Sequence, residues 1–113
     1  MNQQLLQSLL AFRQERDWQQ FHTPKNLTSA LAVEVAELLE IFQWARDSEL
    51  PQLAERERVA IGEEIADIGI LLTYLCHDLN IDLAQVMQDK IEKNRAKYPV
   101  ALARGKSTKY DKL

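Results

Sequence analysis

An acid in the middle of an apolar helical stripe is the feature that most limits how this chain can fold. Along Glu34-Val35-Ala36-Glu37-Leu38-Leu39-Glu40-Ile41-Phe42-Gln43-Trp44, each residue of a helix turns by ~100°. That turn surrounds Glu34 with Ala30, Leu31, Leu38, Ile41 and Ala45, and flanks Glu37 with Val33, Ile41 and Trp44. Ala32, Ala36 and Gln43 lie on the other face, with Glu40 near its edge. The stretch Glu63-Glu64-Ile65-Ala66-Asp67 repeats the arrangement: Ala60, Ile61, Ile68, Leu71 and Leu75 surround Glu64, and Asp67 follows one turn on. A bare carboxylate is costly to bury. Four acids turned toward a helical interior therefore need a cation.

The remaining chain is read around those two helices. Its 113 residues suit a single domain, and 46% hydrophobic content allows a modest core that oligomerisation would enlarge. Three glycines, three prolines and no sustained polar/apolar alternation predict an all-α fold. Leu5, Leu6, Leu9, Leu10 and Phe12 form the stripe of a first helix over residues 3–18. Pro24 biases Thr23 away from helix, so residues 19–25 read as a loop and Asn26 as the N-cap of a second helix running to about Arg46. Residues 47–52, with Pro51, break the pattern before a third helix from Leu53 or Glu57 to Asp78. Gly62 and Gly69 inside it each cost up to ~1 kcal/mol against alanine, a cost often associated with close helix contact. Asp82 with Gln85 opens a fourth helix that ends near Tyr98, before Pro99. Residues 99–113, carrying Arg104, Lys106, Lys109 and Lys112, read as an extended basic tail. Short connections imply antiparallel neighbours. The expected subunit is of four-helix-bundle type, assembling into a homo-oligomer.

A net charge of −3 argues against a nucleic-acid polymer as partner. The single cysteine, Cys76, excludes an internal disulfide, fits a reducing compartment and reads as an inert core thiol. Signal-peptide features and an apolar run of the ~20 residues a bilayer requires are not seen, so a cytoplasmic location without membrane contact is expected.

Glu34 with Glu37, and Glu64 with Asp67, are three apart, so each pair shares a helix face. Two such pairs on facing helices would make an all-oxygen nest, which selects magnesium, manganese or calcium over zinc. The plainer alternative is two solvated acidic faces. A di-iron site would use Glu-x-x-His, but Gln19 and Tyr74 stand three residues before His22 and His77. On the last helix Lys90, Asn94 and Tyr98 extend the stripe of Leu83, Val86 and Met87, with Lys97 beside them. A cation and an amide near a divalent metal are what a polyphosphate requires; a helix end emerging into solvent gives the same pattern. Trp18, Phe21, His22 and Trp44 are candidates to stack on a base, worth ~1–3 kcal/mol each, or to fill a core.

Ordered blocks carry a resemblance. They are Arg16-Asp17-Trp18, Phe21-His22-x-Pro24-Lys25-Asn26-Leu27, Glu34-Val35-x-Glu37-Leu38-x-Glu40-x-Phe42-Gln43-Trp44, Glu63-Glu64-x-x-Asp67, and Lys90-x-x-x-Asn94-x-x-x-Tyr98-Pro99. Leu102-Ala103-Arg104 and Lys109-Tyr110 in the tail extend the series. The chain resembles the MazG-like all-α nucleoside triphosphate pyrophosphohydrolases, and among them the dCTP pyrophosphatase branch. The resemblance implies hydrolysis of a nucleoside triphosphate, dCTP or a related pyrimidine nucleotide, between the α- and β-phosphates. It implies Mg²⁺, with Mn²⁺ as a substitute, on Glu34, Glu37, Glu64 and Asp67. Glu37 or Glu34 would position or deprotonate the attacking water. The base would lie among Trp18, His22 and Trp44, with Lys90, Asn94 and Tyr98 on phosphates or sugar and Arg104 or Lys106 closing from the tail. It also implies homodimers or homotetramers whose sites draw on more than one subunit. One departure is Leu71, where the dCTP branch tends to carry a tyrosine four residues past the last acid; Tyr74 lies one turn beyond. The competing expectation is a non-catalytic helical module that senses nucleotide or metal.

Overall fold

The computed structural model describes residues 2–113, and all regular structure among them is helical. In chain order the helices are α1 (Gln3–Glu15), α2 (Pro24–Phe42), α3 (Leu50–Arg56), α4 (Arg58–Asp78), α5 (Leu83–Lys97) and α6 (Val100–Ala103), with 3-10 turns at Gln19–Phe21, Asp47–Glu49 and Tyr110–Lys112. The chain divides into two compact units, Met1–Leu79 and Asn80–Leu113. No helix of the described residues is long and apolar enough to cross a membrane.

In the first unit α4 packs along α2 and also meets α1. The helix ends differ from the sequence expectation for a common reason. Pro24 opens α2 as a first-turn proline, where its missing N–H leaves no bond unmade. Thr23, not Asn26, is the N-cap, its Oγ1 accepting from Asn26 N at 3.1 Å. Asn26 instead donates from Nδ2 to Phe21 O at 2.9 Å, tying the preceding turn to the helix start. Pro51 behaves likewise, so residues 47–52 hold a 3-10 turn and the start of α3 instead of a break. Glu57 then separates α3 from α4. Helix α1 stops at Glu15, three residues early, because Asp17 adopts a left-handed φ of 53°, and α2 stops at Phe42 rather than Arg46.

The inward stripe of α2 holds Leu27, Ala30, Leu31, Glu34, Leu38, Ile41 and Phe42, and α4 answers with Ala60, Ile61, Glu64, Ile68, Leu71, Tyr74 and Leu75. On α1 the stripe is Leu6, Leu9, Leu10 and Arg13; the expected members Leu5 and Phe12 are about half exposed. Among the described residues Leu27 and Tyr74 are the only apolar ones fully buried, while Val33, Leu39, Val59 and Ile65 lie more than half exposed. Gly62 and Gly69 do not mark close helix contacts, since a Cβ at either meets nothing within 4 Å. Cys76 is half-buried and free.

In the second unit Asp82 caps α5, accepting from Gln85 N at 3.1 Å as expected. The tail is not simply extended. Pro99 starts α6, Gly105 turns the chain at φ 75°, and Tyr110 returns edge-on to Tyr98 with ring centres 6.2 Å apart.

Thr23→Ala is expected to cost about 1 kcal/mol through the lost cap, read as a lower denaturant midpoint with unchanged slope. The loop bearing His22 ends at this cap, so its hydrogen exchange should quicken as well.

Candidate active site

The helical spacing of α2 and α4 brings acids from both helices to one place. Glu34, Glu37 and Glu64 each offer a carboxylate oxygen, and the three oxygens lie within 4.8 Å of one another. Glu34 and Glu64 are half-buried, whereas Glu37 is exposed. The expectation of four acids turned into an interior is thus corrected: Glu37 and Asp67 are both exposed, and the three-oxygen cluster is made by Glu34, Glu37 and Glu64. Asp67 lines the adjoining cleft, and its charge is felt at both Glu34 and Glu64.

The electrostatics follow from crowding. Glu34 Oε2 and Glu64 Oε2 are buried and have no hydrogen-bond partner. The adjacent Glu64 carboxyl is the largest influence on Glu34, followed by burial and the neighbouring Glu37 and Asp67 acids; its pKa is pushed up from 4.5 to about 7. At Glu64 the Glu34 carboxyl acts to lower the pKa, but burial and the Glu37 and Asp67 acids prevail and raise it. Like charges this close cannot all ionise without compensation. Two orphaned oxygens and an all-carboxylate donor set fit a hard divalent cation. Ligands on one such ion, at about 2.0–2.6 Å each, lie at most roughly 4–5 Å apart.

Beside the acids opens a cleft of about 510 Å³, lined by Ser8, Leu9, Phe12, Trp18, His22, Glu34, Asp67, Ile70, Leu71 and Tyr74. Its wall is aromatic. Trp18 meets Phe12 edge to face at 5.7 Å, and His22 lies 6.5 Å from Trp18 and 5.3 Å from Tyr74 between ring centres. Behind the wall Arg13, 2% exposed, forms a two-pronged pair with Asp78, both bonds 2.8 Å. The Arg13 guanidinium stands 4.6 Å from the Tyr74 ring centre, and Tyr74 OH donates to Leu9 O at 2.6 Å. Hydrogen bonding to Arg13 holds the Asp78 carboxyl below its ordinary range. Burial, then the Arg13 charge, lowers the pKa of His22 against an opposing influence from Asp78.

Of the residues expected at the site, Glu34, Asp67, Trp18 and His22 line this cleft, and Glu37 and Glu64 join Glu34 in the acid cluster. Trp44 does not line it: α2 has ended, and the indole is 87% exposed. Lys90, Asn94, Tyr98 and Arg104 belong to the second unit and are exposed there. Lys90 has a lowered pKa, chiefly from the like charge of Lys97. The Arg13–Asp78 pair and the roles of Leu9 and Phe12 went unforeseen. A signal existed, since Arg13 continues the spacing of Leu6, Leu9 and Leu10 into the apolar stripe.

Comparisons with known proteins agree on one family. A family model described as "MazG-like family" matches residues 30–113. dCTP pyrophosphatase 1 of Bos taurus is 49% identical over 104 residues, covering 90% of this chain and 62% of that protein. The Homo sapiens protein of the same name is 47% identical over 104 residues, covering 90% of this chain and 61% of its own length. The chain therefore spans about three-fifths of these curated relatives. Among solved structures, a pyrophosphatase from Archaeoglobus fulgidus is similar with a TM-score of 0.83 and 46% identity, over 85% of this chain and 90% of that one.

Proposed function

The chain belongs to the MazG-like family, and from that premise we propose that it hydrolyses a nucleoside triphosphate, dCTP or a related pyrimidine nucleotide, to the monophosphate and pyrophosphate with Mg²⁺. The observation that carries this reading is the three-oxygen acid cluster opening onto an aromatic cleft. A base needs flat apolar walls, and its polyphosphate needs positive charge at one end. Glu34, Glu37 and Glu64 would hold the ion, with Asp67 at its margin. When bound, the ion supplies Lewis acidity toward the phosphate oxygens.

Glu37 has the exposure needed to orient a water for in-line attack, and its carboxylate chemistry suits it to take that water's proton. Glu34, whose pKa crowding and burial raise to about 7, would hold a proton at the site without a cation and would have to release it to serve as a ligand. Trp18, His22 and Tyr74 offer faces for the base and exclude water from it. Lys90, Asn94, Tyr98 and Arg104 have the side-chain chemistry that phosphates and sugar require. The same reading includes a homodimer or homotetramer of four-helix-bundle subunits. Exposed Val33, Leu39, Val59, Ile65 and Trp44 support it, and light scattering would test it.

The deciding experiment incubates the protein with a panel of nucleoside triphosphates and Mg²⁺ and identifies the products. Monophosphate and pyrophosphate in equal amounts, with turnover ended by chelator, are expected. Nucleotide binding without monophosphate would leave a sensor; release of orthophosphate would place the cleavage elsewhere and overturn the reading.

A further inference from the structure

We propose that Arg13, which does not line the cleft, is the positioning residue of its aromatic wall: clamped by Asp78, its guanidinium fixes the plane of the Tyr74 ring that His22 and a bound ligand both meet. The inference rests on the nucleotide reading above for its ligand and adds to it a residue that acts without touching that ligand.

Four rings of the wall follow one another in space. Between ring centres Tyr74 meets His22 at 5.3 Å, His22 meets Trp18 at 6.5 Å, and Trp18 meets Phe12 at 5.7 Å. A guanidinium closes each end of this series, Arg13 over Tyr74 at 4.6 Å and Arg16 over Phe12 at 3.7 Å. The two ends are held very differently. The Arg16 side chain is 42% exposed, its acid partner Glu15 is 70% exposed, and Phe12 is itself half exposed. Arg13 and Tyr74 are buried, and two 2.8 Å bonds to the two oxygens of Asp78 set the Arg13 plane. The series is therefore anchored at Tyr74 and free to adjust at Phe12.

Tyr74 needs that anchor. Its hydroxyl donates to Leu9 O at 2.6 Å, but the phenol oxygen lies on the axis about which the ring turns. The bond pins the ring tip and leaves the plane to a torsion with broad minima. What sets the plane is whatever lies on the face, and the guanidinium is drawn to the ring by its quadrupole, most strongly where water is excluded. Arg13 can hold the ring because it is itself held. A buried ion pair adds little stability that packed apolar residues would not. What apolar residues cannot supply is a fixed, charged plane against the ring, and the wall of the cleft is where such a plane has a use.

The test compares the wild type, Arg13→Met/Asp78→Leu and Arg13→Lys by thermal melting and by titration with dCMP in the absence of metal. A third readout is the NMR position of the carbon-bound protons of His22 at pH 8, above the range in which its ring titrates. dCMP is not turned over, so the result is independent of catalysis. The double variant should melt no lower than the wild type, because no charge is left buried alone. Methionine fills the space but is flexible and fixes no plane. Affinity for dCMP should therefore fall roughly fivefold, the scale of one cation–π contact, and the His22 resonances should move toward those of free histidine as the Tyr74 ring turns. Lysine keeps the charge without the planar fork, so Arg13→Lys should lose affinity to a similar extent. A purely structural pair predicts instead that the double variant recovers binding along with stability. Wild-type dCMP affinity in either variant, or His22 resonances that stay in place, would overturn the assignment; if the double variant melts early, Arg13→Lys decides by the same two readouts. A wild type that binds no dCMP, with His22 resonances displaced in the variants, would count against the nucleotide reading and leave the positioning of Tyr74 by Arg13 standing.

Discussion

Glu34→Gln is expected to reduce pyrophosphate release by about 10²–10⁴-fold, while the metal-free variant becomes more stable than the wild type at neutral pH. Both effects come from the same crowded oxygens. Glutamine keeps the shape of the side chain but supplies neither a charge for a divalent ion nor a proton to release. The stability effect has a definite sign. The folded-state pKa of Glu34 is raised to about 7 from 4.5, so the native protein holds a proton that the unfolded chain has lost between those values. Stability from this group is complete below about pH 4.5 and is lost as pH rises through about 7. Glutamine does not titrate. The melting temperature of Glu34→Gln should therefore exceed that of the metal-free wild type by an amount that widens from pH 5 to pH 8. His22, with its lowered pKa, acts in the opposite sense over part of that window, but it is common to both proteins and leaves their difference intact. Mg²⁺ should reverse the order at pH 8, because only the wild type gains from a ligand of its native state. A constant gap across pH, or equal stabilisation of both proteins by Mg²⁺, would remove Glu34 from the cluster's role.

Asp78→Ala is the second large effect. Arg13 has a side chain only 3% exposed and its two bonds to Asp78 are both 2.8 Å, whereas Asp78 retains 19% exposure. Removing the acid strands a buried guanidinium, which costs about 3 kcal/mol or more. For a chain of this size that lowers the melting temperature by roughly 10 °C or more. Asp78→Asn, which keeps one acceptor, should cost distinctly less. Arg13 and Asp78 join the end of α1 to the end of α4, so the loss should appear first as faster hydrogen exchange around Trp18 and His22. Thermal melts of the two variants that coincide with wild type would show the pair to be replaceable.

Much of this was legible along the chain. Ala30, Leu31, Leu38 and Ile41 around Glu34, and Ala60, Ile61, Ile68, Leu71 and Leu75 around Glu64, are half-buried on α2 and α4, because a helix fixes which side chains share a face wherever it is formed. The Asp82 cap of α5 was legible for the same local reason. Helix starts were harder. In the sequence pattern Pro24 and Pro51 mark breaks, yet each opens a helix, since a proline that ends one helix is equally suited to the first turn of the next. Type and spacing group Trp44 with the cleft aromatics, but α2 ends before it and the cleft forms at the other side chains.

The sequence by itself determined the all-helical class, the two acid-bearing faces and the family, because these depend on spacing within single segments and on the order of blocks. Only the tertiary structure decided that Glu34, Glu37 and Glu64 converge while Asp67 stands aside. It also decided that Arg13 finds Asp78 across 65 positions of chain. Such meetings depend on how α1 and α2 pack against α4. The acid that first limited the fold is therefore also where packing sets the proton affinity, since Glu64 and Asp67, which add to the effect of Glu37 on Glu34, stand on another helix.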